Sequence, residues 1–82
     1  MWKAEIEVML KESVLDPQGQ AVKNALKSLG YDIVQNVRIG KYQEVTVDAK
    51  DKAEAEAVIK EMCEKLLANT VIEEYTFTVT EV

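Results

Sequence analysis

The chain has 82 residues, 48% hydrophobic and 30% charged, the balance of one small globular domain rather than a disordered tail. Ten basic residues against fifteen acidic ones give a net charge of −5, which argues against nucleic acid and against an anionic membrane surface. With no histidine and one cysteine, Cys63, the commonest general base is missing and neither an internal disulfide nor an iron–sulfur cluster can form.

The N-terminal stretch alternates. Trp2, Ala4, Ile6, Val8 and Leu10 share one face, and Lys3, Glu5 and Glu7 share the other, which predicts an amphipathic strand. Its charged start reads as no signal peptide, and no apolar run approaches the ~20 residues of a membrane-spanning helix. Together with the lone cysteine this predicts a reducing, cytoplasmic setting. Asp16 is placed to cap a helix with Pro17 at its first position, where a missing N–H costs nothing. Ala21, Val22, Ala25, Leu26 and Leu29 supply the apolar stripe, and Gly30 the left-handed stop.

The middle segment, 31–49, is apolar at odd positions, from Tyr31 and Ile33 through Val37 and Ile39 to Val45, Val47 and Ala49. Two arrangements keep that parity. In one, a three-residue loop Gly40-Lys41-Tyr42 makes a hairpin that pairs Val37 with Val45. In the other, a single strand bends at Gly40; at ~3.3 Å per residue it would reach about 60 Å and serve two sheets, as in an intertwined dimer. Asp51 and Glu54 then form a capping box for a second helix with an apolar side from Ala55 to Leu67, stopped near Asn69. Tyr75, Phe77 and Val79 alternate with Thr76, Thr78 and Thr80 in a closing strand. Residues 1–82 are thus read as a single α+β domain. It is a two-layer sandwich with a mainly antiparallel sheet and two helices on one face, ordered β-α-β-β-α-β or with a long bent middle strand over 31–49.

The candidate chemistry is sparse. The carboxylates follow solvated faces, and Cys63 lies inside an apolar helical stripe with no base to activate it. Arg38 and Lys41 flank Gly40, with Tyr42 beside them; one aromatic is too few for an RNA-stacking surface, so a contact or bend is expected there. Asp16, Pro17 and Gln18 are explained as cap and first turn. Gly19 is not, because glycine weakens a first turn, and it hints at close approach of another backbone or of another chain.

Four stretches, taken together, go further: Ser13-Val14-Leu15-Asp16-Pro17-Gln18-Gly19, Ala25-Leu26-Lys27-Ser28-Leu29-Gly30-Tyr31, Val37-Arg38-Ile39-Gly40-Lys41-Tyr42, and Cys63–Asn69 followed by Val71-Ile72-Glu73-Glu74-Tyr75. In this order and spacing the chain closely resembles PurS, the small subunit of phosphoribosylformylglycinamidine (FGAM) synthase of de novo purine biosynthesis. The resemblance implies a non-catalytic subunit, a homodimer or dimer of dimers, with no cofactor of its own. It implies partnership with a PurL-type ligase subunit, which uses ATP and Mg²⁺, and a PurQ-type glutaminase subunit. Bridging the two, it would assist ammonia transfer in the conversion of FGAR and glutamine to FGAM and glutamate. Asp16, Pro17, Gln18, Gly19, Arg38, Gly40, Lys41, Tyr42 and Asn69 are then the candidate residues for partner contact or assembly. The competing reading is a ferredoxin-like regulatory module that binds a small molecule at a dimer interface. A third, a stand-alone enzyme, lacks the residues for it.

Overall fold

The computed structural model spans residues 1–82 and contains strands β1 (Trp2–Leu10), β2 (Gly40–Val47) and β3 (Glu73–Glu81) with helices α1 (Pro17–Ser28) and α2 (Lys52–Met62). Helix α2 continues into one π-helical turn, Cys63–Leu67. The sheet has the order β2-β1-β3 and is antiparallel throughout. Strand β1 is central. Its register sets Ala4 between Val45 and Val79, and Ile6 between Gln43 and Phe77. Period-two alternation therefore gathers Ala4, Ile6, Val8 and Val79 on one face, where Ala55, Ile59, Cys63 and Ala68 close over them. Ile6 and Ile59 are fully buried, each contributing about 2–3 kcal/mol of transfer free energy.

The α+β class and the antiparallel sheet are as the sequence predicts, and two details differ. The hairpin at Gly40 does not form: Val45 pairs with Ala4, not with Val37. Nor is 31–49 one strand, because pairing begins only at Gly40 and residues 31–39 have no strand partner. The parity of 31–39 is real, but within one chain there is no neighbour for it. The second difference is α1, which has no extended packing against the sheet or α2. Its only buried residue is Gly19, while Val22 and Leu29 are exposed and so is Ile33 beyond it.

The local signals for α1 are nevertheless all satisfied. Asp16 caps it, Pro17 opens it, and Gly30 ends it at φ 98°. Tyr31 N–H donates to the Leu26 carbonyl and Gly30 N–H to that of Lys27, both at 3.0 Å, which completes a Schellman stop. The consequence is an elongated molecule, 52 × 27 × 14 Å, whose radius of gyration is 16.3 Å against ~12 Å for a compact chain of this length.

Candidate functional site

The residues singled out by the sequence converge mainly at one end of the sheet, where the β1–α1 loop, the run into β2 and the run into β3 meet. Asp16 is the hinge of this junction. Its Oδ1 accepts the Gly19 N–H at 2.9 Å as the helix cap requires. Its Oδ2 accepts the Ile39 N–H at 2.8 Å, across 23 residues of chain. These two backbone donors, Gly19 first, and then the nearby Arg38 guanidinium hold the Asp16 carboxyl below its usual pKa. Gly19 lies flat against the Val37 carbonyl, so a Cβ there would overlap that oxygen. The close approach expected of Gly19 is thus made by this chain's own backbone.

Arg38 donates from Nη2 to the Leu10 carbonyl and stands 3.8 Å from Glu74. Lys41 lies 3.5 Å from Glu73, whose other oxygen accepts the Asn69 N–H at 2.7 Å. Asn69 is a turn residue: its Oδ1 accepts the Val71 N–H at 3.2 Å and its carbonyl receives Ile72 and Glu73 N–H. Glu73 was missed in the sequence, yet the signal was there. It shares the inward parity of Tyr75 and Phe77, and a carboxylate at such a position needs partners. Gln18 and Pro17 are exposed beside this junction.

Tyr42 goes elsewhere. It stands on the outer face of the sheet, where its hydroxyl lies 2.7 Å from Glu5 and 2.9 Å from Glu44. Glu5 and Glu44 face each other in register, an unfavourable like-charge pair. The Tyr42 hydroxyl between them and Lys3 at 3.4 Å from Glu44 offset it. The hydrogen bond from Tyr42, then Lys3, lowers the Glu44 pKa, and the hydrogen bond to Glu5 raises that of Tyr42. Cys63 is fully buried, and burial pushes its thiol up, away from the thiolate a nucleophile needs.

An open groove of about 610 Å³ lies between the 10–16 loop and 36–38. Lys11, Asp16, Gln20 and Arg38 give it a polar wall. No three His, Cys, Asp or Glu side chains come together as a metal-binding group. The junction thus has the chemistry of a structural joint: fixed backbone donors, paired charges, and no activated nucleophile or base.

Residues 3–81 match the family described as PurS, phosphoribosylformylglycinamidine (FGAM) synthase. The chain belongs to the PurS family. A Bacillus subtilis (strain 168) relative named phosphoribosylformylglycinamidine synthase subunit PurS is 58% identical over 82 residues, covering 100% of this chain and 96% of its own. A solved structure of B. subtilis PurS superposes with a TM-score of 0.89, over 99% of this chain and 100% of that one. A chain from a structure described as PurLQS from Thermotoga maritima is 33% identical, with a TM-score of 0.87 over 96% of each chain. The similarity extends over nearly the whole length of the chain rather than the sheet alone.

Proposed function

We propose that this chain is a non-catalytic assembly subunit of FGAM synthase. In this reading it forms a homodimer or dimer of dimers and bridges a PurL-type ligase subunit and a PurQ-type glutaminase subunit. ATP and Mg²⁺ belong to the ligase subunit, this chain carries no cofactor, and the setting is cytoplasmic. The observation that carries the reading is the uncovered arm. Val22 on α1, and Leu29, Tyr31 and Ile33 after it, form an apolar surface that this chain's own sheet leaves open. Burying such a surface against a second copy supplies the core that 82 residues alone do not. Both outer strands, β2 and β3, also carry free backbone edges. Membership of a family with a relative in a PurLQS structure supports the larger assembly.

Bridging has a chemical purpose here. Ammonia released into bulk water is diluted and protonated, so its transfer between two active sites needs docked, sealed subunits. The regulatory-module reading fits less well, because residues 3–81 match the PurS family. Co-purification with the two large subunits, followed by mass measurement of the complex, tests the assembly. A stable complex containing at least two copies of this chain is expected. Two large subunits that associate equally well without it contradict the reading.

A further inference from the structure

We propose that Asp16 is a positioning residue for assembly: by holding the Gly19 N–H with one carboxylate oxygen and the Ile39 N–H with the other, it fixes the direction in which α1 leaves the sheet. The proposal rests on the assembly reading above, in which the apolar face of α1 meets a second copy.

An arm joined to the body only by flexible chain would sample many directions, and each would have to be frozen out on association. Nothing along α1 prevents this, because the helix lacks extended packing on the sheet or on α2. The constraint lies at its first turn. Asp16 Oδ2 accepts from Ile39 at 2.8 Å, and Gly19 is buried flat against the Val37 carbonyl. A hydrogen bond and a steric stop, on adjacent points of the same segment, define an orientation where either alone defines only a contact. Glycine at 19 is then explained. It is the residue that lets the first turn reach the Val37 carbonyl, at the cost of local helix propensity. Arg38 secures the other side of that segment by donating to the Leu10 carbonyl at the end of β1. The joint is therefore anchored to the central strand of the sheet.

Two substitutions separate this role from simple helix capping. In Asp16→Asn the remaining oxygen still caps Gly19, but the new amide presents its hydrogens to the Ile39 N–H, donor against donor. In Gly19→Ala the helix gains a better former while the added Cβ meets the Val37 carbonyl. If Asp16 and Gly19 serve helix stability alone, the first change is nearly neutral and the second neutral or favourable. If they form the joint, both loosen the arm.

The test uses the full chain with spin labels at Lys27→Cys on α1 and Thr76→Cys on the outer sheet face. Labelled chain is diluted in unlabelled chain so that only distances within one copy are read. The parent should give one narrow distance distribution. Asp16→Asn and Gly19→Ala should broaden it with helix content unchanged, and weaken self-association by about tenfold, the scale of the added ordering cost of a loose arm. Distributions as narrow as the parent's overturn the proposal, and so does a broadened distribution with undiminished association. If the parent sediments as a monomer, the assembly reading fails and with it the purpose of the joint; the distance distributions still decide whether the joint exists.

Discussion

Gly40 sits so close to Val8 that a Cβ on it would overlap the Val8 carbonyl oxygen and the Met9 sulfur. The bend expected at Gly40 does not draw on glycine's special backbone angles, because the only positive φ in the chain belongs to Gly30. The requirement is space: Gly40 opens β2 directly opposite Met9, and a side chain there would run into the β1 backbone. Gly40→Ala should cost about 1–3 kcal/mol through overpacking, and Gly40→Val more. Urea unfolding with midpoints unchanged from the parent would contradict this.

The Tyr42 hydroxyl should govern the titration of Glu44. In Tyr42→Phe the hydrogen bond that most lowers the Glu44 pKa is lost, so the Glu44 titration followed by NMR should move up toward the ordinary value of 4.5. The sign for stability follows. A carboxylate with a lowered folded pKa stabilises above its unfolded value, and that contribution is lost as pH falls through the folded one. The parent should therefore lose this contribution only below about pH 4.5, and Tyr42→Phe should have less of it to lose. An unmoved Glu44 titration would show that Lys3 alone sets it.

Proline at Thr78 should damage the chain itself more than its association. Lys11 N–H donates to the Ile72 carbonyl and Val82 N–H to that of Met1, at the two ends of the β1–β3 ladder. Antiparallel alternation then points the Thr78 N–H inward at Glu5, and leaves the outward edge to Glu73, Tyr75, Phe77 and Val79. Thr78→Pro strands the Glu5 carbonyl, at about 1–3 kcal/mol, whereas exposed Glu56→Lys should stay within about 0.5 kcal/mol of the parent. Weakened self-association with an unchanged unfolding midpoint would mean that the N–H points outward after all.

Cys63 should be inert while the chain is folded. Its side chain is closed off between α2 and the sheet, and burial holds it as the thiol. A thiol reagent at neutral pH should label it only at the rate of opening, with full labelling in denaturant. Rapid labelling of the native protein would contradict the packing of the α2 layer.

Much of the fold could be read in the sequence because its signals are local. The alternation of β1 and β3, the Asp16–Pro17 start of α1 and the Gly30 stop each depend on a few adjacent residues, and all three hold. What could not be read depends on which neighbour is present. The stripe of α1 says that Val22, Leu26 and Leu29 prefer burial, not that this chain's own sheet will supply it. The parity of 31–39 asks for a partner in the same way. At the joint, Asp16 was visible as a cap, but its second bond to Ile39 spans 23 residues and has no sequence signature. Gly19 was the better clue, since a glycine in a first turn is unexplained by the helix alone.

The central claim, that this chain serves transfer rather than chemistry, is tested most directly by comparing two nitrogen sources in the reconstituted synthase. FGAM formation is measured with glutamine and with added ammonium, each with and without this chain. The account predicts that glutamine-driven turnover requires the chain, that ammonium-driven turnover depends on it far less, and that the chain alone has no activity. Equal glutamine-driven rates with and without it would contradict the account.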